Sequence, residues 1–171
     1  MRSAGWTDPV GATPLRFGTH RVRYRAAIVL LFAGGALLQF SSAYTLAITA
    51  IGLSASIAGW ILIPAPGGRR AAVLAPAILG VFSLLGGAQS GGMLVLTLAA
   101  WLIVRMRPLA SFVVLVLPAA ASYGLTQFFP HYGAGVVVGT AMGAVLVASA
   151  FLARLIATTA FAQRRIALRR N

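Results

Sequence analysis

The apolar positions of this chain form three long runs that contain no charged residue, and short clusters of Arg separate them. The runs cover residues 26–64, 71–104 and 109–153. As a helix, the 39 residues of the first run would extend about 58 Å, at about 1.5 Å per residue. The hydrocarbon core of a bilayer is about 30 Å thick and takes about 20 residues to cross. Each run is therefore too long for one crossing and predicts two.

A polar or Gly-rich stretch near the middle of each run predicts a reversal. These stretches lie at 39–42, 86–92 and 128–133, and Gly in a helix costs about 1 kcal/mol relative to Ala. We predict an all-α polytopic integral membrane protein with six transmembrane helices arranged as three helical hairpins. Pro76 is expected in the first turn of its span and Pro118 near the middle of its span, as a kink. The predicted spans, within a membrane domain of residues 21–157, are about 24–40, 43–64, 71–87, 91–106, 109–129 and 133–157.

The Arg clusters predict the orientation. Because each run holds an even number of crossings, every cluster falls on the same side, and the positive-inside rule places that side in the cytoplasm. Both termini are then cytoplasmic, with a flexible tail over 1–20 and a basic tail over 158–171 that is expected to continue the sixth helix along the inner leaflet. Arg154, at the inner end of the sixth span, is expected to snorkel to the headgroups. The predicted membrane-surface anchors, which would contact anionic inner-leaflet lipids, are Arg21, Arg23, Arg25, Arg69, Arg70, Arg105, Arg107, Arg164, Arg165, Arg169 and Arg170.

A secretory signal peptide is an alternative interpretation of the first apolar run. Basic residues precede the run, and the small residues Ser41 and Ala43 would suit a signal peptidase. The basic region is long for a signal, however, and the sequence is apolar again from Tyr44 onward. We expect the first span to be retained, and cleavage stays the alternative.

Composition and charge agree with a membrane protein of the cytoplasmic membrane. The chain has 171 residues, of which 60% are apolar, and a mean hydropathy of +0.92, whereas soluble domains are about 45–50% apolar. All 14 basic residues are Arg and the formal net charge is +13. Nucleic-acid binding is not expected, because the Arg clusters are separated by uncharged runs and form no continuous basic face.

Residues that could support catalysis are scarce. Asp8 is the only acidic side chain and lies in the predicted tail, so paired carboxylates and carboxylate metal sites are excluded. The two His residues, His20 and His131, fall on opposite sides of the predicted membrane. There is no Cys to act as nucleophile or thiolate ligand. We therefore expect a protein that is not an enzyme, with no catalytic residue, cofactor or metal.

Small residues at helical spacing predict close helix packing. Gly135, Gly139 and Gly143 are four residues apart, so they share one face of the sixth span and allow another backbone to approach. Gly52 and Gly59 provide similar positions on the second span. We expect these five residues to pack inside the bundle or, as the alternative, in a homo-oligomer.

The three hairpins also resemble one another. Each returning span ends with a small residue, an aromatic residue and an aliphatic residue, at 59–61, 100–102 and 150–152. A general belt of interfacial aromatics would account for each feature singly, but its recurrence favours a weak internal repeat.

The Gly-punctuated hairpins, with Gly52 and Gly59 seven apart, resemble the layout of short-repeat bacterial membrane proteins linked to acid resistance. A Pro at the outer turn of the first hairpin, which that layout would carry, is absent here. The expected function is a non-enzymatic accessory, assembly or structural subunit that acts through helix packing with itself or with a membrane protein partner. The alternative is a small transporter or channel component for a neutral or anionic solute.

Overall fold

Six α-helices, joined by short 3₁₀ segments and turns, make up the part of the chain that the computed structural model describes, which is residues 19–41, 44–86, 88–129 and 134–170. The helices are α1 (His20–Gln39), α2 (Leu46–Leu62), α3 (Gly67–Phe82), α4 (Leu94–Val104), α5 (Val116–Phe128) and α6 (Gly135–Arg170). Segments of 3₁₀ helix lie at Ser83–Gly86, Ala88–Met93 and Leu109–Leu115. The prediction of an all-helical protein is confirmed, and the described residues contain no strand.

Four helical stretches are long and apolar enough to cross a bilayer. They are His20–Gln39, Gly67–Gly86, Leu109–Phe128 and Gly135–Phe161. Two further apolar helices, Leu46–Leu62 and Ser90–Val104, are shorter. The chain therefore has several apolar helices that are compatible with a multi-pass membrane protein.

The helices α1 and α2 form a close antiparallel pair. A Cβ added at Gly34 would lie 2.7 Å from the carbonyl oxygen of Gly52 and 2.8 Å from the backbone nitrogen of Ser56, and it would also meet the Ser56 hydroxyl. Toward the other end of the pair, a Cβ added at Gly59 would lie 3.1 Å from the carbonyl oxygen of Ala27. Glycine is required at these points because backbone meets backbone.

The helices α3 and α4 repeat this contact. A Cβ added at Gly80 would lie 2.9 Å from the carbonyl oxygen of Met93 and 3.1 Å from the backbone nitrogen of Thr97, and it would meet the Thr97 hydroxyl. In both pairs a Gly therefore faces a carbonyl and, four residues later, a residue with a hydroxyl. The Thr97 hydroxyl also donates a 3.4 Å hydrogen bond to the Ala77 carbonyl of the same partner helix.

The third pair, α5 and α6, is antiparallel but packs differently. Ala121 and Leu125 pack against a buried cluster that contains Val138 and Met142 of α6. At the opposite end, the Ser111 hydroxyl donates a 3.1 Å hydrogen bond to the carbonyl of Ala153. The helix that leads to this pair changes from 3₁₀ to α at Val116, just before the buried Pro118. Pro118 has no N–H to donate to the carbonyl four residues earlier, so the hydrogen-bonding pattern is interrupted here.

Several helix boundaries differ from the predicted ones. The helix α3 begins at Gly67 rather than near residue 71, because Pro66 sets its start and the two Gly residues and two Arg residues that follow join its first turn. The expectation that Pro76 lies in the first turn is therefore wrong, and this residue lies inside the helix. The helix α6 continues through the predicted basic tail to Arg170. Residues 1–18 of the tail that was predicted over 1–20 lie outside the described part of the chain, as do His131 and the side chains of Arg164, Arg165, Arg169 and Arg170. His20, the last residue of that predicted tail, is the first residue of α1.

Three apolar clusters hold the described helices together. The first joins α1, α2, α3 and α4 around Ala27, Trp60, Val73 and Val104. The other two join α6 to the second half of the bundle, one around Met142 and one around Leu102 and Ala153. Between these three clusters lies an open space that residues of α1, α4 and α6 surround.

Candidate functional site: an arginine-rimmed cavity

Arg side chains from three helix ends meet at one end of the bundle. Arg23, near the start of α1, donates a 3.3 Å hydrogen bond to the Leu62 carbonyl at the end of α2. Arg69, near the start of α3, donates a 3.2 Å hydrogen bond to the Ile103 carbonyl at the end of α4. Arg70 donates to the Ile61 carbonyl at 2.8 Å. Carbonyls at a helix C-terminus carry partial negative charge, so these cations stabilise the ends of α2 and α4.

A sharp turn after α4 brings two more Arg residues to the same end. Met106 has φ 51, and the Arg107 amide donates to the Leu102 carbonyl at 3.0 Å while the Met106 amide donates to the Ile103 carbonyl at 3.1 Å. This is the Schellman arrangement, in which the left-handed position is usually Gly. The turn places Arg105 and Arg107 on the wall of a cavity at this end of the bundle.

Aromatic rings fix the position of Arg105. Its guanidinium carbon lies 5.0 Å from the centre of the Tyr24 ring and 5.9 Å from the centre of the Trp101 ring. The two rings are themselves 6.2 Å apart at 45°. Cation–π contacts of this kind stabilise a guanidinium in partly desolvated surroundings. Through this contact with Arg105, Tyr24 connects the start of α1 with the end of α4.

The cavity, called here the arginine cavity, has a volume of about 660 Å³. Binding cavities for small ligands commonly fall between about 300 and 1,000 Å³. Its walls are mostly apolar and aromatic, and its charged residues are Arg105, Arg107 and Arg154. The remaining lining residues are Tyr24, Ile28, Leu31, Phe32, Trp60, Val81, Thr97, Leu98, Trp101, Leu146, Val147, Ala150 and Phe151.

Three helices set the depth of this cavity. Lining residues extend over 24–32 in α1, from residue 97 to the Arg-bearing end of α4, and over 146–154 in α6. Each stretch contains nine residues, and its first and last residues are about 12 Å apart along the helix. One leaflet of the hydrocarbon core is about 15 Å deep. The arginine cavity therefore extends inward from the Arg-bearing end by nearly the depth of one leaflet.

The cavity opens to the side of the bundle. Phe32 lies at the end of the lined stretch of α1 that is farther from the Arg residues, Phe151 lies near Arg154 on α6, and these two side chains are 59% and 63% exposed. The space between α1 and α6 is therefore open to the outside of the bundle along this stretch. Farther along the two helices, beyond the lining residues, a Cβ added at Gly139 of α6 would lie 3.0 Å from the Gln39 side-chain carbon of α1, and the Thr140 hydroxyl lies 3.3 Å from the Gln39 amide oxygen.

The polar groups in the lining are mainly donors. Among the described lining residues there is no carboxylate or amide side chain. Trp60 is 2% exposed, and its indole N–H has no hydrogen-bond partner. Side-chain carboxylates can neutralise at most one of the three Arg charges, because the chain contains a single acidic residue. The arginine cavity is thus suited to a ligand that supplies acceptors and negative charge together with apolar surface.

The predicted packing glycines lie in several different environments. Gly52 and Gly59 lie in the α1–α2 contact, and Gly139 faces Gln39 of α1. Gly143 has open space around the position of an added Cβ. The closest contacts with backbone atoms, at Gly34 and Gly80, were not predicted, because only the register of the partner helix distinguishes these positions from other Gly residues.

Three of the predicted anchors donate hydrogen bonds to carbonyls at helix ends, namely Arg23, Arg69 and Arg70. Another anchor, Arg105, contacts an aromatic ring, and Arg107 lines the cavity. Arg21 and Arg25 are exposed on α1. Arg154 is exposed and lines the arginine cavity. Sequence reasoning found these residues but did not bring Arg105, Arg107 and Arg154 together.

Comparisons of this chain with protein-family models, with curated proteins and with solved structures found no match. The class that the fold defines is an all-helical protein with several apolar helices compatible with repeated membrane crossing.

Proposed function

We propose that the protein crosses the cytoplasmic membrane six times, as three helical hairpins, with both termini in the cytoplasm. The hydrogen bonds of Arg23, Arg69 and Arg70 support this topology, because they join the starts of α1 and α3 to the ends of α2 and α4. Four helix ends then lie on one side, as an even number of crossings requires. The Arg residues at these ends favour the cytoplasmic side.

The arrangement of α6 supports the same topology. Its residues 139 and 140 contact Gln39 at the end of α1, while Arg154 lines the cavity together with Tyr24 near the start of α1. The helix α6 is therefore antiparallel to α1, and its C-terminal part points to the Arg-bearing end. The basic segment that follows is then available to anionic lipids of the inner leaflet.

Single-cysteine labelling tests this topology directly, because the chain contains no Cys. Tyr44 is 97% exposed between α1 and α2, and Gly68 is exposed at the start of α3. In intact cells, a membrane-impermeant maleimide should label the Tyr44→Cys variant, whereas the Gly68→Cys variant should react only after permeabilisation. Labelling of both variants from the same side would contradict the proposed hairpin.

We further propose that the protein is a non-enzymatic accessory or assembly subunit that acts through helix packing with a membrane partner. The observation that carries this proposal is the face of α6 at Gly143, where an added Cβ would meet nothing within 4 Å. Small residues at such a surface allow a second helix to approach closely. The glycine contacts at Gly34 and Gly80 show that this chain uses the same device within its own bundle.

Purification of the tagged protein from native membranes tests this role. A stoichiometric membrane protein partner should copurify with the wild type and be lost from the Gly143→Leu variant. Gly35→Leu is the matched control, because Gly35 on α1 also has open space around its Cβ position and the substitution should leave the bundle intact. Retention of the partner by the Gly143→Leu variant, or its loss from both variants, would count against α6 as the binding face.

A small carrier or channel component for an anionic solute is the second candidate function. The arginine cavity favours it, because three Arg residues line a space of about 660 Å³. Flux of an anion into liposomes that contain the purified protein would support the carrier. A sealed liposome without flux, together with a copurifying partner, would support the accessory role.

A further inference from the structure

We propose that the arginine cavity is a binding site for one anionic phospholipid of the surrounding membrane. Its phosphate would lie among Arg105, Arg107 and Arg154, and one acyl chain would extend between α1 and α6. This inference concerns a ligand of the bundle itself, so it depends neither on a protein partner nor on transport.

The charge of the site selects an anion. Three guanidinium groups line one end of the cavity, and the single acidic residue of the chain can balance no more than one of them. Guanidinium groups bind phosphate oxygens through paired, charge-assisted hydrogen bonds.

The shape of the site selects a lipid rather than a free anion. Below the Arg residues the walls are apolar, with Leu31 and Phe32 on α1 and Val147 and Ala150 on α6. A small hydrophilic anion would gain nothing from these walls, whereas an acyl chain would cover them. The whole lined stretch, including the Arg residues, has a length of about 12 Å along each helix, close to the depth of one leaflet, which is about 15 Å.

The opening of the site gives a lipid direct access. Phe32 and Phe151 line the cavity and are also exposed at the side of the bundle, so an acyl chain can enter from the hydrocarbon core without leaving it. Beyond the lining residues, Gln39 of α1 is in contact with Gly139 and Thr140 of α6.

Tryptophan quenching by brominated lipids provides the measurement. Trp60 and Trp101 line the cavity, and Phe in place of Trp6, the third Trp of the chain, confines the signal to them. The full chain is placed in phosphatidylcholine nanodiscs, and brominated phosphatidylglycerol or brominated phosphatidylcholine is added in increasing amounts. We expect phosphatidylglycerol to quench at a concentration lower by on the order of tenfold, which corresponds to about one charge-assisted hydrogen bond.

Two double variants with equal loss of charge distinguish a site from general attraction. The Arg107→Gln/Arg154→Gln variant should lose the preference for phosphatidylglycerol. The Arg21→Gln/Arg25→Gln variant removes the same charge from the start of α1, at exposed positions that do not line the cavity, and should keep the preference. Melting temperatures of both variants confirm that each is folded. Equal loss in both, or preservation in both, would overturn the proposed site.

Two further experiments distinguish a bound phospholipid from a free anion and test where its acyl chain lies. Inorganic phosphate at millimolar concentration should not reverse the quenching by phosphatidylglycerol, since it cannot cover the apolar wall. Reversal would show that the cavity binds free anions and would overturn the lipid assignment. An Ala150→Phe substitution, which adds no further Trp to the signal, should fill the apolar section and abolish the preference in a folded variant. If phosphatidylglycerol still quenched the native Trp residues preferentially in that background, the acyl chain would not occupy this cavity.

Discussion

Two adjacent glycines of α1 provide the sharpest test of the packing between α1 and α2. Gly34 and Gly35 are identical in type and lie in the same helix, yet their surroundings differ completely. A Cβ at Gly34 would lie 2.7 Å from the Gly52 carbonyl oxygen and 2.8 Å from the Ser56 nitrogen, whereas a Cβ at Gly35 would meet nothing within 4 Å. Substitution of each by Ala therefore separates the effect of the contact from every other effect of the change.

The magnitude follows from two contributions. Replacing Gly by Ala inside a helix favours the helix by about 1 kcal/mol, and this gain is common to both variants. At Gly34 the new methyl group meets backbone atoms of α2, which cannot rotate away, so the two helices must separate. Overpacking of this kind costs about 1–3 kcal/mol. The difference in unfolding free energy between the two variants should thus be about 1–3 kcal/mol, with Gly35→Ala the more stable.

Thermal unfolding in detergent micelles, followed by the helical circular dichroism signal, measures this difference. For a chain of this size 1 kcal/mol corresponds to about 2–4 °C in melting temperature, so the Gly34→Ala variant should melt several degrees below the Gly35→Ala variant. A Ser56→Ala background should recover only part of the loss, because the Gly52 carbonyl and the Ser56 nitrogen remain in place. Equal melting temperatures for Gly34→Ala and Gly35→Ala would refute the α1–α2 register.

Five further substitutions test other parts of the bundle in the same assay. Gly80→Ala should destabilise the protein less than Gly34→Ala, because its backbone contacts are longer, at 2.9 and 3.1 Å; a larger loss would contradict the α3–α4 geometry. Met106→Gly should raise the unfolding free energy by about 1 kcal/mol, since a left-handed conformation costs a residue with a side chain about 1–2 kcal/mol; a lower melting temperature would mean that residue 106 is not left-handed. Gly139→Leu should lower the melting temperature by displacing Gln39, whereas Gly143→Leu, with open space around it, should not; equal effects would place both glycines in the same environment. Arg69→Gln should lower the unfolding free energy by about 0.5–1.5 kcal/mol through the lost hydrogen bond to Ile103, and an unchanged value would show that this bond contributes nothing.

The helices themselves were predictable, because a chain that is apolar enough to cross a membrane has little choice of secondary structure. Runs without charge and interrupted by polar or Gly-rich stretches gave the position of each helix, since backbone groups in lipid must be satisfied within the helix. The boundary of α3 was less predictable. Two Gly residues after Pro66 favour a turn by propensity, but Pro66 and the contact of Arg70 with the end of α2 extend the helix to Gly67.

The cavity was less predictable than the helices, because it depends on packing between distant segments. Arg154 has no local feature that distinguishes a snorkelling residue from one that lines a cavity. Its role depends on α6 lying antiparallel to α1, and the contact of Gln39 with Gly139 and Thr140 sets that register. Only one sequence feature indicates the helix end at which Met106 adopts its left-handed conformation, namely Pro108 shortly after the end of α4.

The repeat suggested by the sequence gives a physical reason for the position of the cavity. Trp60, Trp101 and Phe151 occupy the same place in the three returning helices, and all three line the arginine cavity. Two residues after each of them, at 62, 103 and 153, a carbonyl accepts a hydrogen bond from an outgoing segment. The donor is Arg in the first two pairs and Ser111 in the third. The third pair also differs in the position of this carbonyl, because α6 does not end there but continues to Arg170. A short hydroxyl therefore replaces the long guanidinium at this position, and Arg154, one residue beyond the third carbonyl, lies on the continuing helix and lines the arginine cavity.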